Sequence, residues 1–134
     1  MSKIDVSIII PVYKVEETFF LKCLYSVCNQ TYKNYEIIIV SDGANDNVIS
    51  ICEKFKLKFK KLRIIKQNNS GVAIARNLGI KMSLGKWIMF VDADDWLEIN
   101  AIEEYIKHCN LKDDIVISGY FINNNSSEEL KMFF

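Results

Sequence analysis

Apolar runs of strand length alternate along this chain with segments whose apolar residues recur at helical spacing. Val6-Ser7-Ile8-Ile9-Ile10 predicts a first strand, closed by Pro11. Phe20, Leu24, Val27 and Cys28 then fall at i, i+4, i+7 and i+8, which marks one buried face of a helix. Tyr35 to Val40 predicts a second strand that stops at Ser41-Asp42-Gly43, and a helix follows from about Asp46 to Phe55. Leu62 to Ile65 predicts a third strand, ended by the polar break Gln67-Asn68-Asn69-Ser70-Gly71. In the next helix Ile74, Leu78 and Met82 share a stripe, Ser70 is the expected N-cap, and Arg76 and Asn77 fall off the stripe. Trp87 to Val91 is the fourth and most apolar strand, and it runs directly into Asp92-Ala93-Asp94-Asp95.

Near-continuous apolar strands alternating with helices require an α/β fold, a mostly parallel, Rossmann-like sheet with helices on both faces. The strand-to-loop transitions then deliver their polar residues to one edge, the carboxyl edge, where open α/β sheets bind ligands. Further on, Asn100 is placed to cap a helix carrying Ile102, Tyr105, Ile106 and Cys109, and Ile115-Val116-Ile117-Ser118 predicts another strand. Asn123 to Ser127 reads as a turn, after which Leu130, Met132 and Phe134 alternate as in a strand at the end of the sequence. The expected organisation is one domain over 1–122 and, over 123–134, the start of a truncated segment.

Composition narrows the possible chemistry. A chain of 134 residues, half of them hydrophobic, buries a sufficient core without disulfides or a structural metal. Seventeen basic residues balance seventeen acidic ones, so no global field gathers nucleic acid or an anionic surface, and any anion must be bound locally. Cys23, Cys28, Cys52 and Cys109 are dispersed through helical patterns rather than paired for zinc or redox work, and read as reduced core residues. His108, the only histidine, reads as a helix-face residue. The apolar run after the N-terminus is too short for a signal peptide, and no stretch approaches the roughly twenty apolar residues that span a bilayer.

Acidic residues at the end of a buried strand lose hydration unless something offsets it, and a divalent cation is one such offset. Alternating Asp92 and Asp94 on a short turn can direct two carboxylates at one ion, although an Asp-x-Asp triplet also serves as a turn or cap. Asp42 ends the second strand at the same edge, able to accept from an imide N–H such as that of uracil, or to form a common Asp-Gly turn. Arg76 lies in the first turns of a helix entered through Ser70-Gly71, where backbone N–H groups and a guanidinium can meet phosphate oxygens, or where an arginine can simply be solvated.

Together these segments resemble the family 2 glycosyltransferases of the GT-A fold. The resemblance runs in order through Val6–Tyr13, Glu36–Gly43, Asn69–Ile80 and Phe90–Asp95. It implies that Pro11, Val12 and Tyr13 line a base pocket with Glu16 nearby, that Asp42 binds the base, and that Gly71 and Arg76 lie by ribose and diphosphate. It further implies that Asp92 and its neighbour Ala93 contact the nucleotide, Asp92 touching ribose or metal, and that Asp94 ligates Mn²⁺ or Mg²⁺. The implied reaction is metal-dependent, inverting transfer of a sugar from a nucleotide diphosphate sugar, a UDP-sugar first, to a glycan or lipid-linked acceptor. Nucleic acid is not an expected partner, and the expected location is the cytoplasm, at the inner face of the membrane. The base and the acceptor pocket are expected outside this chain, so that these residues hold donor and turn it over poorly. Lys14 where the family often has Asn, and Ala44-Asn45-Asp46-Asn47 in place of Ser-Thr-Asp-Gly, loosen the expectation about which nucleotide is preferred.

Other functions fit less well. A sugar-nucleotide pyrophosphorylase needs a glycine-rich loop where this chain has Pro11-Val12-Tyr13, and a receiver-like domain needs acidic residues directly after the first strand, where Glu16 and Glu17 come too late. A binding-only domain that holds a nucleotide sugar is compatible with the same residues.

Overall fold

A computed structural model of the chain describes residues 3–109, 119–123 and 128–132. Its elements are β1 (Val6–Val12), α1 (Glu17–Cys28), β2 (Tyr35–Asp42), α2 (Asp46–Lys58), β3 (Leu62–Gln67), α3 (Val72–Met82), β4 (Trp87–Phe90), α4 (Ala101–His108), β5 (Gly119–Asn123) and β6 (Glu128–Met132). The first four strands form one sheet in the order β3-β2-β1-β4, every neighbouring pair parallel. All four carboxyl ends therefore reach the same rim.

Side chains along a strand alternate between faces, which divides the core in two. Ile9, Ile38 and Val40 pack with Ala75 of α3, with Ile65 and Leu78 against them. Ile8, Ile10, Ile37 and Ile39 point the other way and are equally inaccessible to solvent. Both faces of β1 and β2 are thus covered, as their uninterrupted apolar sequence requires.

Two helices depart from their sequence pattern. α2 runs to Lys58 rather than Phe55, its start capped by Asn45 Oδ1, which accepts from the Val48 N–H at 3.0 Å, and its last turn carrying Lys56 and Lys58. α3 turns a different face to the sheet than Ile74-Leu78-Met82 suggests: Ala75 and Gly79 are buried, whereas Ile74 and Met82 are exposed. The cause is close approach, since a Cβ on Gly79 would lie 2.5 Å from Ile9 Cγ2. Nor does Ser70 cap this helix; Gly71 occupies the N-cap at φ 98°, and Ser70 Oγ donates to the Asn68 carbonyl. β4, the most apolar strand in sequence, is the least buried of the four, with Ile88 and Phe90 exposed, because it pairs only with β1 and forms the sheet edge.

At the amino ends of the strands, buried Glu36 organises the loop between α3 and β4. Its Oε1 accepts from Ser7 Oγ at 2.7 Å and Leu84 N at 2.8 Å, and its Oε2 accepts from Arg63 Nη2 at 3.0 Å. Ser7 Oγ in turn accepts from Gly85 N at 2.8 Å. This loop fixes where β4 begins.

The chain divides into compact units of Met1–Glu103 and Glu104–Phe134, a line that falls inside α4. In the second unit β5 and β6 pair antiparallel, Gly119 opposite Met132 and Asn123 opposite Glu128. Leu130 and Met132 lie in β6; of the expected turn over 123–127, Asn123 instead ends β5, and 124–127, the expected strand at 115–118 and Phe134 fall outside the described residues.

Candidate donor-binding site

The rim formed by the carboxyl ends of β1, β2 and β4 collects the residues singled out in the sequence. On β1, Pro11 is half-buried and Val12 buried at the strand end, while Tyr13 beyond it is exposed with Lys14 Nζ 5.4 Å from its ring centroid. Glu16 is exposed at the N-cap of α1, where its backbone carbonyl accepts from Phe20 N at 3.0 Å. Tyr13 also lies against the turn that ends β2: a Cβ on Gly43, whose φ is +81°, would meet Asn69 Cβ at 3.4 Å and Tyr13 Cε2 at 3.7 Å. These are ordinary contact distances, so it is the left-handed backbone rather than crowding that favours glycine there.

Asp42 ends β2 and is buried. Its Oδ1 accepts from Ser70 N at 2.7 Å and Gln67 Nε2 at 2.9 Å, and its Oδ2 from Gly71 N at 3.0 Å. The Ser70 N–H, then Gln67 and Gly71, hold this carboxyl below the ordinary aspartate value against the opposing effect of burial. The carboxylate therefore anchors the loop that starts α3, and Gly71 O accepts from Ala75 N to open the helix.

One turn further along α3, Arg76 Nη2 donates to Asp92 Oδ1 at 3.3 Å, and the guanidinium carbon sits 5.8 Å from the Phe90 ring centroid. Arg76 Nε is enclosed and has no hydrogen-bond partner among the described residues. α3 thus connects the two acidic ends: the residues leading into it, Ser70 and Gly71, are tied to Asp42, and Arg76 in its second turn to Asp92.

Asp92, Ala93, Asp94 and Asp95 form a turn in which Asp95 N donates to Asp92 O at 3.0 Å. Asp92, Asp94 and Asp95 are exposed, and they offer carboxylate oxygens that all lie within 4.8 Å of one another. Partial desolvation of an otherwise exposed side chain, then the charges of Asp94 and Asp92, push the Asp95 carboxyl up. Three carboxylate oxygens this near one another could hold a divalent ion such as Mn²⁺ or Mg²⁺, which takes hard oxygen ligands. The sequence assigned Asp92 and Asp94 to such an ion; the geometry brings Asp95 to the same place.

Sequence reasoning missed what holds this turn. Cys23 Sγ of α1 donates to Asp92 O at 3.5 Å, and Ser26 Oγ accepts from Leu97 N at 3.0 Å. Gln30, buried at 1% exposure, donates through Nε2 to Glu98 O at 2.7 Å and accepts through Oε1 from Ile102 N at 3.0 Å. Cys23 and Ser26 lie on α1 and Gln30 just past its end, at i, i+3 and i+7 in the sequence. Their spacing was the one available signal.

Residues 7–132 match the family model described as glycosyl transferase family 2. The chain belongs to that family. It is 39% identical over 122 residues to glycosyltransferase GlyA of Streptococcus pneumoniae serotype 4, covering 90% of this chain and 17% of GlyA. It is 35% identical to GlyG of the same organism, covering 92% of this chain and 41% of GlyG. The chain thus spans well under half the length of these relatives. Among solved structures, S. aureus TarS 1-349 in complex with UDP aligns with a TM-score of 0.72 at 27% identity, over 78% of this chain and 31% of that one. The mannosyltransferase PcManGT from Pyrobaculum calidifontis aligns with a TM-score of 0.72 at 21% identity, over 87% of this chain and 34% of that one, a likeness of fold alone. The fold of this chain is accordingly GT-A.

Proposed function

We propose that this chain binds the donor in a glycosyltransferase that takes a sugar from a UDP-sugar. The observation that carries the reading is the arrangement of Asp42, the start of α3 and the aspartate turn on one rim, with the Gly71 N-cap tied to Asp42 and Arg76 of the helix's second turn tied to Asp92. The TarS complex with UDP, built on the same fold, supports uridine as the nucleoside.

In this reading Tyr13 and the backbone of Pro11 and Val12 line the base, with Glu16 at the edge of the pocket, and Asp42 accepts from the imide N–H. Gly71, whose φ of 98° leaves nothing within 4 Å of its missing Cβ, lets the ribose and diphosphate approach the start of α3. Arg76 uses Nη2 on Asp92 and retains other donors for phosphate oxygens. Asp92 and Ala93 sit against the nucleotide, and Asp94, with Asp92, would hold Mn²⁺ or Mg²⁺. Such an ion, when bound, neutralises the charge that develops on the leaving diphosphate as the anomeric bond breaks. Inversion at the anomeric carbon, a glycan or lipid-linked acceptor, and action at the cytoplasmic face of a membrane belong to the same proposal. They rest on family membership. Among the described residues no helix is long and apolar enough to cross a membrane.

Calorimetric titration of the chain with UDP, GDP and dTDP, with and without Mn²⁺, tests the reading. It expects Mn²⁺-dependent binding with UDP preferred. Equal, metal-independent binding of all three would remove it.

A further inference from the structure

Asp42 was assigned a base-reading role from the sequence, yet the structure shows its carboxylate already holding three hydrogen bonds inside the protein. An ionised carboxylate has about four lone-pair sites, so on this count roughly one is left, on Oδ2. A single open site recognises a ligand N–H only if the carboxylate cannot rotate. Two of the three bonds come from backbone N–H groups of the loop that starts α3, and these hold the loop as much as the loop holds them. The third comes from a side chain on a different element.

That side chain is Gln67, the last residue of β3 and the register partner of Asp42 across the parallel pair β2–β3. Its Nε2 reaches Asp42 Oδ1 at 2.9 Å from the end of β3, whereas Ser70 and Gly71 lie in the loop that follows. Donors from two elements on Oδ1 and a single donor on Oδ2 define one rotamer and leave the same oxygen free each time. We propose that Gln67 is a positioning residue for nucleobase recognition, fixing the Asp42 carboxylate so that Oδ2 presents its remaining acceptor site to the base. This rests on the reading of Asp42 as the base acceptor.

A purely structural Gln67 would, when replaced, loosen the start of α3 and weaken every ligand alike, with or without a base. A positioning Gln67 affects only ligands that carry one. The full chain is therefore titrated in Mn²⁺ with UDP and with ribose 5-diphosphate, for wild type, Gln67→Met, Gln67→Lys and Asp42→Asn, with thermal midpoints recorded for each. Gln67→Met keeps the side chain's length without a donor, and Gln67→Lys restores one.

The expected result is UDP binding weakened about tenfold in Gln67→Met, the scale of one charge-assisted hydrogen bond, with ribose 5-diphosphate unchanged within about twofold. Gln67→Lys is expected to return UDP binding to near the wild-type value. Should Gln67→Met leave the preference for UDP over ribose 5-diphosphate intact while Asp42→Asn abolishes it, Gln67 is not a positioning residue and Asp42 keeps its role. Should Asp42→Asn leave that preference intact, the role of Asp42 is wrong and the proposal falls with it. Equal weakening of both ligands in Gln67→Met also overturns it.

Discussion

Arg76 Nη2 lies 3.3 Å from Asp92 Oδ1, both side chains partly open to solvent, at the junction of α3 and the acidic turn after β4. An exposed pair of this kind contributes on the order of 1 kcal/mol or less to stability, so its significance is in placement rather than folding. Arg76→Ala is expected to shift the thermal midpoint little. It is expected to weaken UDP binding by about tenfold or more while weakening uridine binding far less, because the guanidinium is assigned to phosphate oxygens. Parallel titrations with UDP and uridine measure the difference.

Gly79 faces Ile9 in a close helix–sheet contact, with 2.5 Å between a would-be Cβ and Ile9 Cγ2. Ile9 is fully buried and cannot swing aside. Gly79→Ala should therefore destabilise by about 1–3 kcal/mol, although alanine is the better helix former, because overpacking outweighs the propensity gain. Urea unfolding checks the sign: a stabilised variant would show that α3 can move off the sheet.

Glu36 accepts from Ser7, Leu84 and Arg63 within a buried setting. Glu36→Ala strands the Ser7 hydroxyl and the Leu84 N–H, an expected loss of about 2–4 kcal/mol, moderated because Arg63 remains partly solvated. Unfolding in denaturant gives the value directly, and a loss below about 0.5 kcal/mol would mean water replaces the carboxylate without cost.

Acid should unfold the protein partly through Asp42 and Asp5. Donors hold both carboxyls below the ordinary 3.8, Ser70 N–H foremost for Asp42 and the Tyr32 hydroxyl foremost for Asp5. A value depressed in the folded state means that folding favours the ionised form. Its contribution is complete above 3.8 and disappears as pH falls below 3.8 through the depressed values. Stability followed from about pH 6 to about pH 2 should fall less steeply in Asp42→Asn than in wild type. Parallel curves would show that Asp42 titrates as it does in the unfolded chain.

The sequence legibly carried the parallel sheet, its apolar strands and the residues gathered at the carboxyl rim, because a strand buried on both faces must be apolar throughout. Asp42, Gly71, Arg76 and Asp92–Asp94 emerged from their positions at strand and helix ends. What was not legible depends on contacts between distant segments. The buried face of α3 is set by the room that Ala75 and Gly79 leave for Ile9 and its neighbours, and hydrophobicity alone points instead to Ile74 and Met82. Gln67, filed with a polar break, gains its meaning from its register with Asp42. Cys23 and Ser26 look like incidental residues of an amphipathic helix, and Gln30 of the loop after it, until the turn at Asp92 and the 97–102 segment they hold are brought beside them.

The central claim is that the aspartate turn and a nucleotide diphosphate share one cation. Electron–nuclear double resonance on Mn²⁺ added to the chain with UDP reads this directly through the coupling between the metal and phosphorus. The account predicts a ³¹P coupling in wild type that is lost in Asp94→Ala while the circular dichroism spectrum is unchanged. Bound Mn²⁺ with no ³¹P coupling, or a coupling that survives Asp94→Ala, would contradict it.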